Sequence, residues 1–420
     1  KPTGRPVSVH FIKKKMDGSP LSEGELYSVI QDIASNNLTA TELSAFVTAG
    51  YIRGYCMDEV VALTKAMVET GQKIDFGDDI VDKHCIGGVA GNRTSMLIVP
   101  IIAAAGLTIP KTSSRAITSP SGTADTMEVL AEVEFGIDEL KEIVNEINSC
   151  IIWGGSVNLA PADDKIIRVE YPLSMDAEGH LLASVMAKKV SVGSDYLLID
   201  IPIGKGAKIE DTEKANDLAH KFISLGDNLG ISVECVVTDG GSPIGSGIGP
   251  GLEARDVLLA LENKGPVDLI DKSVELAGNI LELSKKIEKG KGRALAESIL
   301  RSGKAKEKMR EIIEAQNGDP DITPEDIQVG EKQQTIEAKN KGKIRYIDNK
   351  LISRIARAAG APRDNGAGIY MHITVGDSVK VGDPLFTLYS KSGSRLKDSV
   401  ELTEELIPVR VGSIISYLLE

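Results

Sequence analysis

Residues 80–106 read IVDKHCIGGVAGNRTSMLIVPIIAAAG, and this stretch decides the fold of the chain. A short strand comes first, a glycine-rich loop follows, and an apolar helix is predicted over 95–106. The alternation continues further along, with strands predicted over 196–203 and 232–238 and helices over 212–225 and 253–263. Strands that alternate with helices predict an α/β domain with a mainly parallel sheet.

The chain changes character on either side of this region. Residues 20–70 are predicted to be helical, because Ser22 and Glu25 have the spacing of a capping box. Thr41, followed by Glu42, is predicted to open another helix. From about residue 341, short alternating strands predict a small C-terminal α+β domain. A length of 420 residues, at about 150 per domain, predicts two or three domains.

The composition narrows the class of function. The chain has 48 Lys and Arg against 61 Asp and Glu, a net charge of −13. This charge repels nucleic-acid backbones unless a local basic patch overrides it, so nucleic acid is excluded as the main partner. Glycine is abundant, at 42 residues, whereas Phe, Trp and Tyr number 6, 1 and 9. Many glycines and few aromatic residues fit an enzyme whose backbone approaches its ligand closely.

Cysteine spacing, histidine positions and hydropathy argue against disulfide-linked, metal-binding and membrane-spanning proteins. No two of the four cysteines have CxxC spacing, so we expect free thiols in a reducing cytoplasm and neither a disulfide framework nor a zinc site. The five histidines do not cluster, so we expect no metal and no cofactor. The longest apolar run, 96–106, is too short to cross a bilayer, and no membrane partner is predicted. The chain begins Lys-Pro rather than with Met, so we expect an N-terminal part to be missing.

The loop over 82–95 combines the parts of a phosphate site. Glycines free backbone N–H groups to face an anion, and the start of the following helix adds partial positive charge. Lys83 supplies a formal charge, and Thr94 and Ser95 supply hydroxyl groups. The P-loop pattern is absent. The alternative interpretation is a glycine-rich turn with a surface lysine.

A second polar loop covers 113–125 and consists mostly of Ser, Thr, Arg, Gly and Pro. Hydroxyl groups beside Arg115 suit a ligand rich in oxyanions, such as a phosphate or a sugar. A Ser/Thr-rich capping loop is the alternative. Because the two loops follow successive α/β units, we expect both at the same end of a parallel sheet, where ligands bind.

Together these motifs resemble the thymidine/pyrimidine nucleoside phosphorylase superfamily. The resemblance covers nearly the whole chain from Val7, and it rests on Lys83-His84-x-x-Gly87-Gly88, Ser113-x-Arg115 and Gly122-Thr123-x-Asp125-x-x-Glu128. Four further segments are similar to the archaeal AMP phosphorylase family: 109–119, Trp153-Gly154-Gly155, 158–164 and Pro243-Ile244-Gly245. That family carries an extra N-terminal domain, which agrees with the missing Met. Pyrimidine-specific members read His-Thr-Gly-Gly where this chain has Ser119-Pro120-Ser121-Gly122, and this departure disfavours a plain thymidine phosphorylase.

The resemblance implies phosphorolysis: AMP, with CMP and UMP as further candidate substrates, reacts with inorganic phosphate to release the base and ribose 1,5-bisphosphate. Four residues match the family's phosphate contacts, namely Lys83, Ser95, Ser113 and Thr123. The residues that match its substrate contacts are Gly88, Ser114, Arg115, Ala116, Ile117, Thr118, Ser119, Thr123, Ser184 and Lys208. Cys85 replaces a serine that is common in relatives, which puts one phosphate contact in doubt.

The resemblance also implies a general acid. The departing base gathers negative charge and is best protonated as it leaves, and the family's aspartate before a helix matches Asp176. Without the resemblance, a helix-capping aspartate would be the favoured interpretation. Arg168 and Lys188 lie near the positions of the base-binding arginine and lysine of pyrimidine-specific relatives.

The implied architecture has three parts. A helical domain would combine 1–68 with an inserted segment at about 150–182, an α/β domain would cover 69–149 and 183–335, and 336–420 would form the C-terminal domain. We expect a cytoplasmic homodimer or a larger assembly. The alternatives are a thymidine/pyrimidine nucleoside phosphorylase, a phosphoribosyltransferase of related fold, and a non-catalytic nucleotide sensor on the same scaffold.

Overall fold

The N-terminal helices begin where hydroxyl side chains cap them. In the computed structural model, which describes residues 6–116, 119–173 and 175–412, the first four helices are α1 Ser8–Met16, α2 Glu23–Ala34, α3 Ala40–Arg53 and α4 Met57–Glu69. Ser22 and Glu25 form the predicted capping box of α2. The start predicted at Thr41 is wrong by two residues, because Thr39 caps α3 and forms its own capping box with Glu42.

The middle of the chain alternates strands and helices. In order, the elements are β1 Val81–Cys85, α5 Ser95–Ala104, β2 Ile109–Ser113, α6 Thr123–Glu128, α7 Ile137–Ile147, β3 Ser149–Trp153, α8 Pro161–Leu173, α9 Glu178–Ser191, β4 Tyr196–Ile203, α10 Thr212–Leu229, β5 Ser232–Asp239, β6 Gly247–Ile248, α11 Pro250–Leu261, α12 Val267–Leu283, α13 Gly292–Arg301 and α14 Lys304–Ala315.

Strands β1 to β5 pair in parallel, which confirms the predicted fold class. β1, β4 and β5 form one sheet in the order β1-β4-β5, and β2 pairs with β3. The register places Lys83 opposite Leu198 and Cys85 opposite Asp200. Every residue of α5 from Ser95 to Ala103 is buried, as expected of a helix that is apolar on all sides.

α8 and α9 follow β3 in sequence but pack with the N-terminal helices. Their side chains Ile166 and Ala183 share one buried cluster with Leu26, Phe46 and Leu63 of the first four helices. This packing carries the segment just before α9 to the side of the sheet where the helical bundle lies.

The last part of the chain is antiparallel. Its elements are β7 Lys332–Glu337, β8 Gly342–Ile347, α15 Asn349–Ala359, β9 Gly368–Met371, β10 Ser378–Val379, β11 Pro384–Ser390, α16 Gly393–Leu406 and β12 Val409–Gly412. One sheet has the order β10-β8-β12 and the other β6-β9-β11-β7. Since β6 comes from the preceding α/β region, the two regions share a sheet.

None of the helices in the described ranges is both long and apolar enough to cross a bilayer.

Candidate active site

Lys83 is the middle residue of β1 and is almost completely buried. Its Nζ donates a hydrogen bond to Thr94 Oγ1 at 2.9 Å and lies 3.7 Å from Asp200 Oδ2. Thr94 directly precedes α5, whose first residue is Ser95. The Lys83 ammonium group, the Thr94 hydroxyl group and the start of α5 therefore meet beside β1, an arrangement that suits an anion.

The glycine loop between β1 and α5 needs its glycines for two reasons. Gly87, Gly88 and Gly91 have φ angles of 94°, 90° and 72°, a region that side chains disfavour. In addition, a Cβ atom on Gly88 would clash with the backbone N of Lys208, and one on Gly91 would clash with the carbonyl oxygen of Ile244. The loop therefore lies directly against two later segments of the chain.

Cys85 faces this loop as an uncharged thiol. Its Sγ accepts a hydrogen bond from Asn92 Nδ2 at 3.3 Å, and burial raises the pKa of the thiol above its usual value. The group is therefore held by the loop itself.

The 113–125 loop is fastened to the glycine loop by Arg93, a residue that the sequence interpretation did not assign. Arg93 donates to Thr123 Oγ1 at 3.1 Å and to the carbonyl oxygen of Ser121 at 3.0 Å, and its Nε lies 2.6 Å from Glu253 Oε2. Asp125 closes the loop by accepting from the backbone N–H groups of Ala116 and Gly122. Ile117 and Thr118 lie outside the described residues, and Ser119 Oγ donates to the carbonyl oxygen of Ser121 at 2.9 Å.

Arg115 has carboxylate partners of its own. It binds both oxygens of Glu128, at 2.6 and 2.7 Å, and Glu134 at 2.8 Å, and its guanidinium group lies over Trp153. The neighbouring Ser114 is exposed, and Ser113 Oγ lies 3.5 Å from the carbonyl oxygen of Ser114. Arg115 thus stabilises the loop and reaches a ligand only if these bonds change.

Asp176 and Lys208 meet across the site. Asp176 directly precedes Ala177, the N-cap residue of α9, and Lys208 lies in the loop after β4. Lys208 Nζ lies 3.0 Å from Asp176 Oδ1, and the Asp176 side chain is 74% exposed. Because Gly88 packs against the backbone of Lys208, the glycine loop, Lys208 and Asp176 form one continuous surface.

Ser184 and Lys188 share a buried partner, Asp163. Ser184 Oγ donates to Asp163 Oδ2 at 2.8 Å, and Lys188 Nζ lies 2.7 Å from the same oxygen. Despite its burial, the pKa of Lys188 is raised, because Asp163 favours the charged ammonium. Arg168 is exposed on α8.

Several buried charges near Lys83 were missed by the sequence interpretation. Lys111 Nζ donates to the carbonyl oxygen of Lys83 at 2.7 Å and lies 3.3 Å from Asp82, which also pairs with Lys189 at 2.6 Å. Lys272 of α12 lies 3.2 Å from Asp200 Oδ2. The sequence could have marked Asp82 and Lys111 as candidates, since each is an ionisable residue inside a predicted or buried strand. No comparable pattern marks Lys272, because its partner is distant in sequence.

The lysines around Lys83 outnumber their carboxylate partners and make this region electropositive. Burial lowers the pKa of Lys111 to about 7, although the negative charge of Asp82 acts to raise it. Burial and the neighbouring lysines lower the pKa of His84 well below its usual value, so this imidazole is neutral at pH 7. In the ranges that the structure describes, no group of three or more His, Cys, Asp or Glu side chains is arranged to hold a metal ion.

Three family descriptions match the chain in succession. Residues 9–71 match the glycosyl transferase family helical bundle domain, 77–306 match the glycosyl transferase family a/b domain, and 343–410 match the pyrimidine nucleoside phosphorylase C-terminal domain.

Similar proteins agree with these matches. The chain is 52% identical to AMP phosphorylase of Pyrococcus furiosus over all of this chain and 84% of that protein. It is 50% identical to AMP phosphorylase 1 of Archaeoglobus fulgidus over 99% of this chain and 82% of that protein, and 50% identical to AMP phosphorylase of Methanosarcina barkeri over 98% and 81%. Among solved structures, anthranilate phosphoribosyltransferase of Thermus thermophilus has the same fold, with a TM-score of 0.62 at 19% identity over 73% of this chain and 99% of that one.

Proposed function

The chain belongs to the AMP phosphorylase family, and from this premise we propose that it cleaves AMP with inorganic phosphate. The C1′–N bond of the nucleotide breaks, a C1′–O bond to phosphate forms, and the products are adenine and ribose 1,5-bisphosphate. The observation that carries the proposal is the continuous surface formed by the glycine loop, Lys208 and Asp176. It supports the proposal because an anion bound at the glycine loop would lie next to a carboxyl group, and the reaction needs both.

The attacking phosphate would bind beside Lys83 and Ser95, at the start of α5. Thr123, which Arg93 holds toward the glycine loop, and Ser113 would complete the site. The cations Lys189 and Lys272 support this assignment because they give the region local positive charge in an acidic chain, and Lys111, with a pKa of about 7, is charged in only part of the molecules. A bound phosphate dianion would stabilise the cationic C1′ centre as the glycosidic bond lengthens.

Asp176 would protonate the leaving base. In the described state it is exposed and paired with Lys208, whereas proton donation needs a protonated carboxyl group shielded from water. We therefore propose that substrate binding draws Lys208 toward the nucleotide and closes the helical side of the cleft over Asp176.

The nucleotide would lie along the 114–119 stretch, with Gly88 and Thr123 completing its contacts. Lys188 and Arg168 are the proposed base contacts, and Ser184, which shares the partner Asp163 with Lys188, is a further proposed substrate contact. Few aromatic side chains suggest recognition by sugar and phosphate more than by stacking, so we expect CMP and UMP to react as well.

The architecture and assembly complete the proposal. We propose a helical domain of 1–68 with 150–182, an α/β domain of 69–149 and 183–335, and a C-terminal domain of 336–420. Three separate buried clusters support this division into three parts, but Cys150 and Ile152 pack in the α/β cluster and Ala183 packs in the helical one, so the clusters put the edges of the inserted segment several residues later. We propose a homodimer, since Tyr51 and Ile52 at the end of α3 expose apolar area that a second copy would cover. Free thiols at all four cysteines fit a cytoplasmic enzyme.

The test is release of free base from AMP, CMP, UMP and the matching nucleosides, with and without inorganic phosphate. We expect release that depends on phosphate and on the 5′-phosphate group. Equal rates on nucleosides and monophosphates would instead identify a nucleoside phosphorylase. Binding of AMP without turnover of any substrate would identify a sensor.

A further inference from the structure

A turn of the C-terminal region reaches into the candidate site. Asn349, the first residue of α15, is 1% exposed although it is polar. Its Oδ1 accepts from the backbone N–H of Ala90 at 3.1 Å, and its Nδ2 donates to the carbonyl oxygen of Gly240 at 2.9 Å. One side chain therefore ties the glycine loop after β1 to the glycine-rich segment after β5.

Ala90 is held on both sides by these contacts. Its N–H binds Asn349, and its carbonyl oxygen accepts from the backbone N–H of Ile244 at 3.0 Å. Gly87, Gly88 and Gly91 around it have positive φ angles. A loop with three such glycines has many accessible backbone conformations, so bonds from outside the loop decide which one is populated.

The turn that leads into Asn349 is itself held by hydrogen bonds. Asp348, the N-cap residue of α15, accepts from the backbone N–H groups of Lys350 and Leu351 at 2.9 and 3.0 Å. The hydroxyl group of Tyr346 lies 3.2 Å from Asp348 Oδ2 and 3.1 Å from the carbonyl oxygen of Lys205. The same turn therefore also contacts the loop that carries Lys208.

We propose that Asn349 is a positioning residue for inorganic phosphate: it holds the glycine loop in the conformation that binds this substrate. The proposal rests on the proposed function. The proposal assigns a role to the glycine-rich segment after β5, residues 240–251. This segment lies against the glycine loop and enters the C-terminal sheet as β6. Since Asn349 acts through Ala90, it affects phosphate affinity and not the protonation of the base.

The test is the kinetics of N349A and N349D with AMP and phosphate. For N349A we expect the KM for phosphate to rise about tenfold while kcat and the KM for AMP stay within about twofold, since two hydrogen bonds that fix the loop are lost. N349D keeps an acceptor for Ala90 N–H but places a buried carboxylate oxygen against the carbonyl oxygen of Gly240, so its phosphate KM should rise at least as much as that of N349A. An unchanged phosphate KM in N349A, or equal changes in both KM values, would overturn the proposal.

S390A is the matched control for lost stability. Ser390 Oγ is also buried and also makes two hydrogen bonds, to the carbonyl oxygen of Ala359 at the far end of α15 and from the N–H of Ser392. It should lower the melting temperature without raising the phosphate KM, and an equal rise in S390A would mean that Asn349 has only a structural role.

Calorimetric titration with inorganic phosphate alone separates this proposal from the proposed function. If the wild type binds phosphate and N349A binds it about tenfold more weakly, the positioning role holds even where AMP is not cleaved. If both bind phosphate equally, the positioning role fails while phosphorolysis stands on its own assay. If the wild type binds no phosphate in the absence of AMP, the positioning role fails, and the release assay still decides phosphorolysis.

Discussion

At the scale of single residues, Asp176 is exposed, although its proposed role is that of the general acid. Its carboxyl group pairs with Lys208 at 3.0 Å, and exposed pairs of this kind contribute little to stability. Replacing it with Asn should therefore leave the fold intact. We expect D176N to lower kcat by about 10²-fold or more, because general acid catalysis typically contributes that much. The KM for phosphate should stay within about twofold. Steady-state kinetics measure both values.

Glu178 provides the matched control for D176N. It is exposed, lies two residues further along the chain and pairs with Lys221, away from the site. E178Q removes a carboxylate charge from the same region and should keep wild-type kcat. A D176N enzyme with wild-type turnover would remove Asp176 from the acid role.

At the scale of elements, the start of α3 tests how the helical bundle is specified. Thr39 Oγ1 accepts from the N–H of Glu42, and Glu42 returns a bond to the N–H of Thr39. T39A removes this cap and should lower the free energy of unfolding by about 1 kcal/mol. T41A, inside the first turn, should have a clearly smaller effect. Urea denaturation compares the two, and a larger loss in T41A would contradict the assigned cap.

The elements that the sequence predicted and those that it missed differ in the range of their interactions. The strand, glycine loop and helix over 80–106 were predictable because strand and helix signals lie within a few neighbouring residues. Asp125 and Asp163 lay in motifs that the resemblance rests on, yet their partners Ala116 and Lys188 appear only in the fold. Asn349 and Lys272 act on residues 72 or more positions away, and no local pattern marks such contacts.

The junction between β6 and α11 predicts a pH dependence of stability. Burial raises the pKa of Asp256 from 3.8 to about 6, although its Oδ2 accepts from the N–H groups of Ser246 and Gly247. Between pH 3.8 and about 6 the folded state binds more protons than the unfolded state. The contribution of Asp256 to the free energy of unfolding is therefore present at low pH and is lost as pH rises to about 6.

The D256N variant isolates this contribution. Asn keeps an oxygen that accepts hydrogen bonds but does not titrate in this range. The melting temperature of the wild type minus that of D256N should therefore fall as pH rises from about 4 to about 6. A difference that stays constant or grows over this range would show that the carboxyl group titrates normally in the fold.

At the scale of the whole molecule, the proposed chemistry requires the helical bundle to move closer to the parallel sheet, although the Asp176–Lys208 pair already connects the two. Asp176 follows α8 and precedes α9, which pack with the helical bundle, whereas Lys208 and the glycine loop belong to the parallel sheet. The 74% exposure of Asp176 is incompatible with shielded proton transfer, so both substrates together should close the bundle onto the sheet.

Hydrogen exchange of the D176N variant tests this closure, because its slow turnover allows the enzyme to be saturated with AMP and phosphate. Backbone amide exchange should then slow over 175–179 and 204–208 and stay unchanged in α14, Lys304–Ala315, which lies outside the cleft. Protection with phosphate alone would locate the trigger in the glycine loop, whereas unchanged exchange with both substrates would contradict closure and require Asp176 to act in the open state.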